Sequence, residues 1–392
     1  MTKLNTNNKN FRKLLKVSLV NHKNKRLPLG KIVVGGKTLH NFSGNDYLGL
    51  SQNEQLIQNS ILFTEKFGTS LSSSRLVTGN LDLIDKIEQK ISKFNFSEKT
   101  LILGSGFQCN STLIPALTEN TLGKVNKAYI FSDKFNHSSI NIGCLLSRQK
   151  VFRYNHMDLN HLEFLLKKNS KVKTKLIVTE TLFSMDGDII DINSMRFLAK
   201  KYNATLYLDE AHSLGVFGPK GFGIATQEKS QKIENEILVG TFSKSFGSYG
   251  SFVSCNNEFK DKIVNLCAGL IYSTALTPGT IGSIEKAVDK VPKMHNERKI
   301  LQKNSAFVRK KLLELNLDLS NSNSHIIPIV FKNLEKCKEL SKYLIENNFF
   351  VIVIRPPTVP RNKNRLRISL STLLKKSIIE SFVEKIKSFE NN

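Results

Sequence analysis

Thr205-Leu206-Tyr207-Leu208-Asp209-Glu210-Ala211-His212 is a short apolar run that stops on two consecutive carboxylates. An apolar stretch this brief, bounded this sharply, reads as a buried strand of a parallel sheet, because strands covered on both faces are near-continuously apolar and do not alternate. Runs of the same kind recur on either side, at Leu101-Ile102-Leu103, Ala128-Tyr129-Ile130-Phe131, Leu176-Ile177-Val178 and Ile237-Leu238-Val239, with helical patterns between them. The expected fold between about residues 100 and 255 is therefore α/β, a mostly parallel sheet flanked by helices.

Upstream, Ile84, Ile87, Ile91 and Phe94 recur at helical spacing, and Asn80 stands where it could cap that helix. Beyond about residue 283 the pattern changes to a long helix, an apolar run 326–331, another helix, and strand-like runs at 350–354 and 365–370. This reads as a smaller α+β unit. The expected organisation is an N-terminal segment, 1–45, packing with the small unit, then a large unit, 46–283, and the small C-terminal unit, 284–392. No repeat or low-complexity linker intervenes, so a site between packed units is expected.

The chain has 392 residues, 40% of them apolar, enough for a sizeable core. Its net charge of +25 would suit a polyanionic partner, but the lysines are spread almost everywhere. Runs such as Lys171-Val172-Lys173-Thr174-Lys175 read as solvated faces in a Lys/Asn-rich composition, so neither nucleic acid nor a membrane is expected as a partner. A positive field would still attract a multiply charged small substrate. The five cysteines are odd in number, widely spaced and free of any Cys-x-x-Cys pair, which suggests neither disulfides nor a metal site and fits a reducing cytoplasm. Residues 1–16 are polar and basic, without the apolar core of a leader, and no run of about 18 apolar residues occurs. A soluble, unprocessed protein is expected.

In an open α/β sheet, ligands bind beyond the carboxyl ends of the strands. Asp209 ends one strand and Lys244, in Thr241-Phe242-Ser243-Lys244-Ser245-Phe246-Gly247, follows another. Alone, Asp209 could simply cap the next turn. Together, a desolvated amine and a carboxylate are what a Schiff-base cofactor with a protonated pyridine nitrogen requires. Gly104-Ser105-Gly106-Phe107 lies between a strand and a helix, where backbone N–H groups can meet a phosphate, or where the glycines serve only close packing. Thr241 could add a hydroxyl. His137, in a loop, is open to a surface role as well as to stacking on a ring.

The segment Leu208-Asp209-Glu210-Ala211-His212-Ser213-Leu214-Gly215-Val216-Phe217-Gly218, with Gly221 and Gly223 beyond it and Thr241-Phe242-Ser243-Lys244 at matching spacing, carries a family resemblance. So do Asn41-Phe42-Ser43-Gly44-Asn45-Asp46-Tyr47-Leu48-Gly49-Leu50, Ser74-Arg75-Leu76-Val77-Thr78-Gly79-Asn80 and Glu180-Thr181-Leu182-Phe183-Ser184-Met185-Asp186-Gly187-Asp188. Over about residues 41–370 the chain resembles the α-oxoamine synthases, pyridoxal 5'-phosphate (PLP) enzymes of fold type I that join an amino acid to an acyl-CoA with loss of carbon dioxide. The resemblance implies a mostly parallel seven-stranded sheet flanked by helices, with a smaller α+β C-terminal domain. Ile354-Arg355-Pro356-Pro357-Thr358-Val359-Pro360, Arg365-Leu366-Arg367 and Ile271-Tyr272-Ser273-Thr274-Ala275-Leu276 most resemble the members that use L-alanine and a pimeloyl thioester, carried on CoA or a carrier protein. Segment 68–74 departs from the family, whose members often carry more glycine there.

Carried over residue by residue, the resemblance makes Lys244 the Schiff-base lysine and the general base, and Asp209 the partner of the pyridine nitrogen. His137 would stack on the ring and steady the developing enolate-like oxygen, and His212 would bond the phenolic oxygen. Gly106, Phe107 and Thr241 would hold the phosphate, Ser184 would contact the ring region, and Thr358 would line the acyl entrance. Asn45 and Arg367 would hold the substrate, the guanidinium gripping the α-carboxylate in bidentate fashion. A homodimer with shared sites is implied, with Ser273 and Thr274 offered to the neighbour's phosphate. The nearest alternative within the resemblance is an α-oxoamine synthase that joins glycine to acetyl-CoA or serine to a long acyl-CoA, and two readings fall outside it. Thr241-Phe242-Ser243-Lys244 as the S-x-x-K of a serine hydrolase puts Thr at the nucleophile position and lacks an accompanying Lys-Thr-Gly, and a polyanion-binding protein rests on charge alone.

Overall fold

The computed structural model describes residues 29–118, 127–227 and 232–391, so most of the expected segment 1–45, including its basic stretch 23–26, lies outside them. The hairpin β1 (Lys31–Val34) and β2 (Lys37–Asn41) comes first. The central sheet follows, with β3 (Lys99–Leu103), β4 (Ala128–Asp133), β5 (Lys150–Tyr154), β6 (Thr174–Glu180), β7 (Thr205–Asp209), β8 (Glu236–Thr241) and β9 (Ser251–Cys255). The C-terminal part adds β10 (Ile326–Phe331), β11 (Phe349–Phe350), β12 (Ile352–Ile354) and β13 (Asn364–Ser369).

The seven strands lie in the order β3-β9-β8-β7-β6-β4-β5, and β9 runs against its neighbours while the others share one direction. This is the mostly parallel sheet expected of fold type I. Alternate residues of each central strand face opposite layers. Leu176, Val178, Ile237 and Val239 pack with Leu113, Ile114 and Ile140 of the helices Gly106–Thr118 and Ser138–Leu146. Ile177, Leu206, Leu208 and Leu238 pack with Leu162, Met195 and Leu198 on the other side. Each such side chain contributes roughly 1.5–3 kcal/mol of burial, which is why these strands tolerate so few polar residues.

Three local readings are corrected. In the helix Asp82–Asn95, Ile84, Ile87 and Ile91 are buried as expected, but Leu81 holds the cap position and Asn80 instead accepts from Arg75 Nε at 2.8 Å. Lys175, in the run read as a solvated face, is buried, and its Nζ donates to the carbonyls of Val172 at 2.5 Å and Ser170 at 3.4 Å. The apolar run 350–354 is two strands: β11 pairs with β2, whereas β12 pairs with β13, so neighbouring residues serve different sheets. The helix Pro278–Lys290 spans residues 283 and 284, so it would be shared by the large and small units.

Parallel direction brings the carboxyl ends of β3, β4, β5, β6, β7 and β8 to one edge, and every candidate residue from Gly106 to Lys244 lies at or just after one of these ends. Gly215 keeps two of the loops together. Its φ is 88°, a left-handed conformation, and a Cβ there would overlap the Ser245 side chain beside Lys244.

Candidate active site

A cavity of ≈ 200 Å³ opens at that edge, lined by Ser105, Gly106, Phe107, Asn110, His137, Glu180, Asp209, His212, Thr241 and Lys244 among others. The sequence placed these residues on five separate strand ends; the sheet makes them one site. Asp209 is 5% exposed, and its carboxylate is aimed by two donors: Asn110 Nδ2 to Oδ2 at 2.7 Å and the Ala211 amide to Oδ1 at 2.9 Å. Asn110 is itself oriented by Tyr207, whose hydroxyl donates to its Oδ1 at 2.6 Å.

Lys244 Nζ lies 2.7 Å from His212 Nε2. Desolvation lowers the amine to about 8, although Asp209 and Glu180 both pull it upward and Arg367 pushes it down. A lysine tuned this way supplies neutral amine near neutral pH, as covalent attachment to an aldehyde demands. His212 is buried and held well below the usual imidazole range by desolvation and by the cations of Lys244 and Arg367. His137 presents an exposed ring to the cavity while its amide donates to Glu180 Oε1 at 2.6 Å; desolvation lowers its pKa, so the ring is neutral and suited to stacking.

The helix Gly106–Thr118 begins at the cavity wall, and its first intrahelical bond, Cys109 N to Ser105 O, leaves the Gly106 and Phe107 amides in the unpaired first turn. A Cβ built on Gly106 would sit 3.6 Å from Thr241, so the hydroxyl and the helix start face the same space. Backbone amides at a helix start, a fixed carboxylate and a desolvated lysine around one cavity fit PLP.

Other expected residues lie around this centre. Arg367, on β13, is buried, donating from Nε to the Ser184 carbonyl at 2.6 Å and from Nη2 to Asn45 Oδ1 at 3.2 Å. Ser184 and Thr358 line a neighbouring cavity of ≈ 570 Å³ together with Phe135, Phe183, Met185 and Val359, and His137 borders both spaces. Ser184 therefore faces the second cavity and is not among the residues lining the first. Thr274 lies apart, bridged to Ser74 in a small cavity with Gly104 and Ser273.

Three participants went unnoticed in the sequence: Asn110, Glu180 and Tyr47. Asn110 stands one helical turn from Gly106, a spacing that puts both on one face. Glu180 ends β6 in register with Asp209, and desolvation together with Asp209 raises its carboxyl to about 8. Among the described residues no cluster of potential metal ligands occurs, no helix is long and apolar enough to cross a membrane, and the five cysteines are buried and unpaired.

Residues 37–386 match the family model for class I and II aminotransferases. The chain is 40% identical over 348 residues to a protein of Paramagnetospirillum magneticum named as an 8-amino-7-oxononanoate synthase, covering 88% of this chain and 87% of the relative. It is 41% identical over 347 residues to one of the same name from Magnetococcus marinus, covering 88% and 87%. Among solved structures, a variant serine palmitoyltransferase from S. paucimobilis with bound PLP and myriocin superposes with a TM-score of 0.86 at 26% identity, covering 93% of this chain and 90% of the other. The 8-amino-7-oxononanoate synthase of Francisella tularensis gives 0.76 at 26% identity, covering 90% and 98%. The chain belongs to the class I and II aminotransferase family and, within it, to the α-oxoamine synthases, PLP-dependent C-acyltransferases.

Proposed function

We propose that this enzyme joins L-alanine to a pimeloyl thioester, releasing carbon dioxide and the free thiol and forming 8-amino-7-oxononanoate. The observation that carries the choice of substrate is the identity of 36–41% to relatives of that name over 84–89% of their length.

PLP, when bound, draws electrons from the substrate Cα, and the residues around it do the rest. Asp209, fixed by Asn110 and the Ala211 amide, would hold the pyridine nitrogen by accepting its N–H. Arg367, with Asn45 beside it, grips the α-carboxylate, a charge-assisted contact that orients the Cα proton. With the cofactor and amino acid in place, the free Lys244 amine would take that proton as general base. His137, bordering both cavities, would cover the ring and donate toward the oxygen that gains charge as the thioester is attacked. The acyl chain enters past Thr358 through the apolar walls of Phe135, Phe183 and Val359, which exclude water from the reacting carbon.

Residues 46–283 supply the PLP half of this arrangement and 284–392 the carboxylate half. The active form is proposed to be a homodimer, with Thr274 reaching the neighbouring phosphate; the strongly exposed Tyr272, at 83%, beside it supports an interface there. A second reading, serine with a long acyl thioester, draws on the likeness to serine palmitoyltransferases. Thiol release measured over alanine, glycine and serine against acyl chains of graded length tests both. Alanine with a pimeloyl thioester is expected to give the highest kcat/KM; a clear preference for serine with a long chain overturns the proposal.

A further inference from the structure

Five polar groups form one continuous chain across the two halves of the site. Arg367 Nη2 lies 3.2 Å from Asn45 Oδ1, which lies 3.0 Å from the Tyr47 hydroxyl. That hydroxyl lies 2.7 Å from His212 Nδ1, and His212 Nε2 lies 2.7 Å from Lys244 Nζ. Tyr47 is fully buried, its ring set edge-on against His325 at 4.1 Å and its carbonyl accepting from the Thr372 amide at 3.0 Å.

The direction of every bond in this chain follows from its first member. A guanidinium can only donate, so the Asn45 atom facing it is the oxygen. That same oxygen faces Tyr47, whose single hydroxyl proton must therefore point to Asn45. Toward His212 the tyrosine then has only lone pairs, so Nδ1 carries the imidazole proton. A neutral ring protonated at Nδ1 has its lone pair on Nε2, and that lone pair faces the Lys244 amine. Desolvation keeps the ring neutral.

We propose that Tyr47 is a positioning residue that sets the tautomer of His212 and thereby gives the Lys244 amine a fixed acceptor, coupling the carboxylate grip of Arg367 to the covalent anchor. The inference rests on Lys244 being the PLP lysine. Around the amine stand Asp209 at the end of β7, Glu180 at the end of β6, His137 and His212 from the loops, and Arg367 from β13; around His212 stand Lys244, Arg367, His137, His325 and Tyr47. Tyr47→Phe leaves all the charged groups in place and removes the acceptor that pins the proton on Nδ1, together with the hydroxyl's contacts to Asn45 and Arg367. The Nε2–H tautomer then becomes available, the amine loses its acceptor, and its protonated form is less favoured. Asn45→Leu reaches the same end by a different route, because Tyr47 is freed to donate to Nδ1 and drives the proton to Nε2.

The test is the pH dependence of PLP incorporation into the full-length chain stripped of PLP. The amine condenses with the added aldehyde, water is released, and visible absorbance appears. The pH of half-maximal rate is expected to fall by about one unit in both variants, the scale of one hydrogen bond to a charged group. A purely structural role would lower the yield or the melting temperature without moving that pH. An inflection unchanged in Asn45→Leu and in any folded Tyr47→Phe overturns the proposal. Lys244→Ala separates this from the reading beneath it: covalent absorbance persisting in that variant would refute the anchor itself.

Discussion

His156 offers the sharpest test of how the site's walls are held. Its Nδ1 lies 3.0 Å from Asp133 Oδ1 and its Nε2 lies 2.7 Å from Asp188 Oδ2, with side-chain exposures of 17%, 1% and 3%. Ionised carboxylates only accept, so both ring nitrogens must donate and the ring is an imidazolium. It stacks on Phe135 at 4.4 Å and meets Phe183 edge-on at 4.4 Å, the two phenylalanines that wall the cavity proposed for the acyl chain. Burial alone would lower its pKa, but the hydrogen bonds and charges of Asp133 and Asp188 raise it to about 10 from 6.5. At 1.36 kcal/mol per unit this corresponds to about 5 kcal/mol. Because the folded-state value is the raised one, the contribution is complete below about pH 6, roughly half remains near pH 8, and it is gone above about pH 11. His156→Gln deletes the cation and leaves two neighbouring carboxylates facing each other, a loss of about 3–5 kcal/mol at pH 6.5. The assay is the urea midpoint of the PLP-loaded enzyme from pH 6 to 11, for wild type and variant. The difference should be largest at pH 6 and shrink toward pH 10; groups that titrate in both proteins, Glu180 among them, cancel. A difference that is flat with pH, or grows with it, refutes the imidazolium. The KM for the thioester should rise more than that for the amino acid.

Three further outcomes are expected. Arg367→Met should weaken alanine binding, read from the visible absorbance, by roughly 10- to 100-fold, as befits loss of a hydrogen-bonded charge, and an unchanged affinity would place the carboxylate elsewhere. Asp209→Ala should retain some PLP but lose exchange of the alanine Cα proton with deuterated solvent by about 10²–10⁴-fold; near-normal exchange argues against its role at the ring nitrogen. Gly215→Ala, at φ 88° against Ser245, should cost about 1–3 kcal/mol and lower the melting temperature, and a neutral effect would mean the loop can shift aside.

The parallel core was legible because its strands are buried on both faces and so write themselves as uninterrupted apolar runs. β5 and β9 were not. Lys150-Val151-Phe152-Arg153-Tyr154 lies at an edge and is half exposed, and in Ser251-Phe252-Val253-Ser254-Cys255 a serine holds a central place. Ser254 survives there because Thr100 Oγ1 at 2.7 Å and Asn95 Nδ2 at 2.9 Å satisfy it, partners far away in sequence. The same limit governs the site. Lys244, Asp209 and His212 stand in a motif, whereas Glu180 and Tyr47 gain their significance only from register and from a fold that brings residue 47 to residue 212. Lys175 shows the converse, a lysine in a charged run whose destination is a pair of carbonyls.

The split of residues 349–354 between two sheets has a consequence for synthesis. β2 gains its parallel partner only from β11, Ile352 donates to Ser43 Oγ across 309 positions, and Asn45 meets Arg367 across 322. The groups lining the PLP cavity, by contrast, all fall between Ser105 and Lys244. As the chain leaves the ribosome, the pocket for the aldehyde can assemble well before the grip on the carboxylate exists, since contacts of such high order close last. A chain ending before β13 would carry every residue that lines this cavity but not Arg367, so it is expected to take up PLP and fail to bind the amino acid.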